Sequence, residues 1–188
     1  ERRMLDRIVR DDDVITVTSQ GPNELGKDSL TNRLLNNVKV VNKTTADIAN
    51  TVATAANPAT STIIVDGSAG PITVANNIAL QGGQVFRGGG FTVIGSQTGA
   101  TTTFGTRPTV TNTNNLSSTV VLADQSAVAD LDLIGGRDGV KSNAPLTGVL
   151  VSGNTVTRAA DDGFDFQGLD TTSVVQNNTA QNIGYNAD

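Results

Sequence analysis

Near the end of this chain, Asp161-Asp162-Gly163-Phe164-Asp165 is the one acidic cluster whose residue types could do chemistry. On a strand Asp161 and Asp165 share a face, because side chains alternate with a period of two. With Asp162 beside them they could hold Ca²⁺ through carboxylate oxygens, or act as an acid and base pair. The competing reading makes Asp162 a turn residue that repeats Asp138, with its neighbours solvated. Turn use of Asp is commonplace, so the sequence assigns no catalytic, cofactor-binding or metal-binding residue. The Ca²⁺-binding nonapeptide pattern Gly-Gly-x-Gly-x-Asp is absent; Gly135-Gly136-Arg137-Asp138-Gly139 comes closest and fails. Arg87-Gly88-Gly89-Gly90 lacks the Gly-Lys-Ser/Thr of a phosphate loop and reads as a coil turn. Arg107, Arg137, Lys141 and Arg158 are scattered cations, of use to a substrate carboxylate but solvated by default.

Composition narrows the chemistry further. Histidine is absent, which removes the commonest general base and the commonest transition-metal ligand together. Cysteine is absent too, so disulfides, thiolate metal sites and cysteine nucleophiles are excluded. The net charge of −5 argues against nucleic acid as a partner, since phosphate binding needs a basic face. No apolar run approaches the ~20 residues of a membrane-spanning helix. The opening Glu1-Arg2-Arg3 has no apolar stretch behind it, so any export signal is expected outside this stretch.

The elements that would position these residues are short. Aromatics make up 3% of the 188 residues and there are 20 Gly, which suits a thin core of stacked Val, Ile and Leu. Val14-Ile15-Thr16-Val17-Thr18 alternates as a strand, and Gln20-Gly21-Pro22-Asn23 is a turn signal. In 28–42 the spacing of Leu30, Leu34, Leu35, Val38 and Val41, behind a capping Asp28 or Ser29, predicts a short helix. Val38–Val41 could equally be a strand. Thr44–Pro58 reads as a connector. From Ser61 onward, four- and five-residue β-branched segments end in glycines, as in Thr62–Gly67, Ile78–Gly83, Gln84–Gly90 and Phe91–Gly95. Pro108, within a Thr-rich extended stretch, suits a strand edge or a loop.

A repeat then fixes the class. Asp138-Gly139-Val140 recurs as Asp162-Gly163-Phe164, 24 residues on, and at that offset Thr147 meets Thr171, Val151 meets Val175 and Asn154-Thr155 meets Asn178-Thr179. A looser copy places Val120 20 residues before Val140. A period in the low twenties with short strands is the size of one coil of a right-handed parallel β-helix. Repeated Asn would then stack at tight turns, and Gly139 and Gly163 would sit where φ is positive or where a Cβ would clash. The expected organisation is a linker and cap over 1–58 and an all-β solenoid over 59–188 that continues further.

Residues from about Ile63 to Asp188 resemble the β-helical passengers of bacterial surface proteins. The likeness lies in Leu80-Gln81-Gly82-Gly83-Gln84 with Gly88-Gly89-Gly90, in Thr106-Arg107-Pro108-Thr109, and in Val149-Leu150-Val151-Ser152-Gly153-Asn154-Thr155-Val156. The opening Glu1–Asp11 resembles the junction after the β-barrel of inverse autotransporters, the intimin/invasin-like class. The resemblance implies a non-enzymatic stalk or adhesin outside a Gram-negative cell, anchored only through an upstream outer-membrane barrel. It further implies a monomer without cofactors, whose partners are surface glycans or proteins of another cell. The alternative is a fragment of a β-helical polysaccharide lyase or hydrolase, for which Asp161, Asp162 and Asp165 would be the working residues, with Lys141 or Arg137 on the coil below.

Overall fold

The computed structural model describes residues 7–11, 14–18 and 23–184; the Gln20–Pro22 part of the expected turn and most of the Glu1–Asp11 junction lie outside them. Three parallel sheets form the body of the molecule. A six-stranded face stacks Val38–Val41, Thr62–Val65, Val85–Gly88, Ala127–Ala129, Leu150–Ser152 and Val174–Gln176. A five-stranded face stacks Ile72–Val74, Thr109–Asn112, Asp132–Gly135, Thr155–Thr157 and Thr179–Gln181. A four-stranded face stacks Ile78–Ala79, Val120–Val121, Val140–Ser142 and Phe164–Phe166. The chain visits the three faces in turn, giving a parallel β-helix of about six turns.

Short strands suffice here because each coil is paired above and below. Inward side chains fall into columns: Ile63, Phe86, Val128 and Val151 on one face, Ile72, Val110, Leu133 and Val156 on the next, Ile78, Val120 and Val140 on the third. All are buried and form one continuous cluster. The irregular 20-residue offset is real, since Val120 pairs with Val140.

The turns are held by stacked amides. Asn154 is fully buried, donates from Nδ2 to Val128 O (3.0 Å) and Asn178 Oδ1 (3.0 Å), and accepts from Leu131 N (3.2 Å). Asn178 repeats the pattern one coil on, donating to Val151 O (2.9 Å). The left-handed residue is the one before each ladder position: Asp130 (φ 57°), Gly153 (φ 70°) and Asn177 (φ 55°). Gly139 is required for space instead. A Cβ there would lie 2.6 Å from Gly163 O and closer still to the Val156 methyls.

Two parts of the segment expected to be linker belong to the body. Val38–Val41 is a strand stacked in parallel on Thr62–Val65, so the helix expected over 28–42 does not form. The apolar spacing there serves two cores. Val38 faces outward and Val41 inward, which suits the β-branched pattern of a strand. Ahead of it Asp28 closes a turn, accepting from Leu30 N (3.0 Å), with Asn32 left-handed at φ 57°. The α-helix lies at Ile48–Ala53, in the stretch read as a connector. Asp47 caps it by accepting from Asn50 N (2.9 Å), and Ile48 and Val52, one turn apart, enter the solenoid core. Its free C-terminal carbonyls are met by Gln81 and Gln84, whose Nε2 atoms donate to Val52 O at 3.0 and 3.1 Å.

The solenoid also carries an antiparallel layer. Strands Arg7–Asp11, Val14–Thr18, Glu24–Asp28, Phe91–Gly95 and Thr101–Phe104 pair in that order. The last two are a hairpin leaving the coil after Gly88 and re-entering at Thr109. Phe91–Gly95, which reads as one more solenoid strand, is therefore in a different sheet. Ile15, Val17, Phe91 and Val93 of this layer bury Val38 and Ile64 on the outer side of the six-stranded face. Arg87, also on that outer side, is 2% exposed and bonds Asp28 (3.2 Å) and Asp130, with its guanidinium 4.6 Å over the Phe91 ring.

Acid should weaken one corner of the solenoid as pH falls from 3.8 toward 2. Thr172 and Ser173 hydroxyls and the Gly148 amide bond to the Asp170 carboxylate and hold its pKa down from 3.8 to about 2. A depressed carboxylate stabilises the fold above its unfolded pKa and ceases to do so as pH falls through the folded value. Asp170→Asn is therefore expected to lower stability at neutral pH and to flatten its decline as pH falls from 3.8 toward 2, read by urea melts at stepped pH.

Candidate functional site

The acidic cluster is built by two neighbouring coils of the four-stranded face. Asp138 and Asp162 precede Val140–Ser142 and Phe164–Phe166, and register places Lys141 against Asp165. The stacking brings carboxylate oxygens of Asp138, Asp162 and Asp165 within 4.8 Å of one another. Asp138 is fully buried, Asp165 half-buried and Asp162 exposed. Asp161 is not a member: it turns to Arg137, with Nη2 at 3.0 Å. The acid and base pair that Asp161 and Asp165 could have formed is thus split between two partners, and Asp138 takes the third place. The signal for Asp138 was present in the repeat, since a one-coil offset from Asp162 means the two carboxylates stack.

A cation already pairs with two of the three carboxylates. Lys141 Nζ lies 2.7 Å from Asp165 and 3.3 Å from Asp138. Asp138 also accepts from Ser118 Oγ (2.7 Å) and from Asp162 N (3.3 Å). The bond to Asp165, helped by Asp138, raises the Lys141 pKa against the opposing pull of burial. Lys141 therefore stays an ammonium and is no general base. Arg137 is likewise raised by its bond to Asp161. Asp162 alone has no side-chain hydrogen bond among the described residues. Removing the ammonium with Lys141→Met leaves Asp138 buried without its counter-charge and is expected to cost about 2 kcal/mol, measured by urea unfolding.

The remaining cations are also placed. Arg107 donates to Asp132 (2.9 Å), Leu131 O and Gly153 O, fastening the returning hairpin to two later coils. Arg158 is left-handed (φ 60°) at the turn after Thr155–Thr157, as Asn182 (φ 53°) is one coil on. Gly88-Gly89-Gly90 forms the hairpin's exit, where an added Cβ on Gly88 would overlap the Asp130 carbonyl. Gly89 N donates to Val65 O and Gly90 N to Phe104 O, so these amides are spent within the protein and cannot cradle phosphate.

Beside the cluster runs a cleft of about 290 Å³. Val121 and Lys141, paired on adjacent strands, line it along the solenoid axis. Leu116 stands on one wall, carried by a loop tied through Asn112 and Asn114. The amides of Asn77 and Asn143 face it, and neither bonds to another described residue. Nothing in the sequence pattern marks these residues, because the cleft exists only once three coils are stacked.

Comparison with known proteins gives no match to a family model, a curated protein or a solved structure.

Proposed function

We propose that this chain is a non-catalytic passenger segment, a stiff β-helical stalk or adhesin displayed outside a Gram-negative cell through a β-barrel that precedes it. The observation that supports this reading best is the use of charge. Arg137–Asp161, Lys141–Asp165 and Arg107–Asp132 each join one coil to the next, and Arg87–Asp28 fastens the antiparallel layer. Of the described residues that would serve an enzyme, Asp138, Asp161, Asp165, Arg137 and Lys141 are engaged in ion pairs, and Asp162 is not. The Asn ladder likewise joins one coil to the next. No helix among the described residues is long and apolar enough to cross a membrane.

Intact cells of the source organism, probed with antibody against residues 23–184, should label without permeabilisation and lose the label to external protease. Labelling that requires lysis would end this reading. A second reading, a polysaccharide lyase or hydrolase fragment, is favoured by the closeness of Asp138, Asp162 and Asp165 to an open cleft. It requires new reducing ends or unsaturated products from acidic or neutral polysaccharides, with or without Ca²⁺, and their loss in Asp162→Ala. The passenger reading expects neither.

A further inference from the structure

We infer that the cleft beside the four-stranded face binds an extended, uncharged polysaccharide lying along the solenoid axis. This deepens the adhesin reading and rests on it for its biological use.

The shape comes first. The lining comes from three successive coils, Asn77 on the first, Leu116 and Val121 on the second, Lys141 and Asn143 on the third; at about 4.8 Å per coil the cleft runs about 10 Å along the axis, longer than one sugar ring. A linear polymer fits such a trough; a compact ligand would fill only part of it.

The lining selects the chemistry. The strands that carry Val121 and Lys141 are each paired on both sides, so they offer no sheet edge to a peptide strand. What remains is side chains. Asn77 and Asn143 each present an amide that donates and accepts, with no partner of its own among the described residues. Vicinal sugar hydroxyls, which also donate and accept, are the matching groups. Ser117 and the half-exposed Arg137 guanidinium add a hydroxyl and a planar fork of donors. Leu116 and Val121 supply the apolar contact that the C–H faces of a sugar ring require. A single exposed leucine is ordinary on a protein surface. The loop here is tied down by Asn112 Nδ2 to Ser117 O (2.9 Å) and by Asn114 Oδ1 from Leu116 N (3.0 Å), so Leu116 is held in place at little further entropic cost on binding.

Charge decides between neutral and acidic sugars. Arg137 and Lys141 face the cleft, and Asp138, Asp161, Asp162 and Asp165 surround them, two more carboxylates than cations. A uronate would have to approach that surplus and compete with Asp165 and Asp161 for the cations. An uncharged chain meets no such opposition.

The test uses the protein as it stands, with chemical-shift mapping and calorimetry against a β-1,4-glucan hexasaccharide, a β-1,4-mannan hexasaccharide and hexagalacturonate. A neutral oligosaccharide is expected to shift Asn77, Leu116, Val121 and Asn143 signals. Leu116→Ala and Asn143→Ala, both at exposed positions, should each weaken binding about tenfold without altering the melt. Failure of both neutral probes at millimolar concentration, binding of hexagalacturonate alone, or unchanged affinity in both variants would overturn the inference. Surface-labelled cells whose protein binds no neutral probe would overturn it while leaving the passenger reading intact.

Discussion

Arg87→Ala is expected to release the antiparallel layer from the solenoid while the coils stay folded. Among the described residues the Arg87 guanidinium is the salt-bridge partner of Asp28 in the buried seam, 3.2 Å away, with Arg33 acting on Asp28 at longer range; both side chains of the pair are almost wholly shielded from water. A buried pair adds little net stability over a well-packed apolar one, but removing one member strands the other, typically at about 3–5 kcal/mol. Asp28 keeps its bonds from Leu30 N and Thr31 Oγ1, which places the expected loss toward the lower end. The stacking of Arg87 on Phe91 is lost as well. Hydrogen exchange should quicken in Glu24–Asp28 and Phe91–Gly95 and stay slow in Leu150–Ser152. Adding Asp28→Asn should recover part of the loss. Uniform loosening of both regions would show that layer and coils form a single cooperative unit.

Phe86→Ala, one residue earlier, should give the opposite picture. Successive side chains on a strand face opposite ways, so Phe86 points into the solenoid, fully buried between Ile63 and Val128. A deeply buried Phe→Ala change costs about 3–5 kcal/mol, from lost transfer energy and the cavity left behind. A thin core has few neighbours able to move in and close it. All probes should lose stability together in urea unfolding, with the layer and the coils melting in one transition. A loss below about 1 kcal/mol would mean that the inner column is not closely packed there.

The contrast between these neighbours shows what the sequence could and could not convey. The stack was legible because in-register parallel pairing repeats the same side chain at the same height, and so writes itself as an offset: Gly139 with Gly163, Asn154 with Asn178, Val120 with Val140. Sheet membership leaves no such trace. Phe91–Gly95 alternates as any half-buried strand does, and its antiparallel pairing is set by its partners Glu24–Asp28 and Thr101–Phe104. Arg87 read as a prelude to three glycines, since a buried cation is recognisable only when its carboxylates, distant in the chain, are seen beside it. The helix at Ile48–Ala53 did carry a signal, Asp47 followed by Ile48 and Val52 one turn apart, but six residues among Ala, Thr and Asn are too few to stand out. At the site, the repeat was enough to stack Asp138 on Asp162, whereas the cleft of Asn77, Leu116 and Asn143 draws on separate coils and has no local pattern.

The registration of coils is tested most directly by cross-linking, since the chain has no cysteine to interfere. Thr155 and Thr179 face each other on adjacent strands of the five-stranded face, as do Thr157 and Gln181. Parallel neighbours about 4.8 Å apart fall within disulfide reach. Thr155→Cys with Thr179→Cys should oxidise rapidly and completely under native conditions, as should Thr157→Cys with Gln181→Cys, while Thr155→Cys with Gln181→Cys should lag well behind. Equal rates for all three pairs, or fastest closure of the mismatched one, would contradict the stacked register on which the fold and its cleft depend.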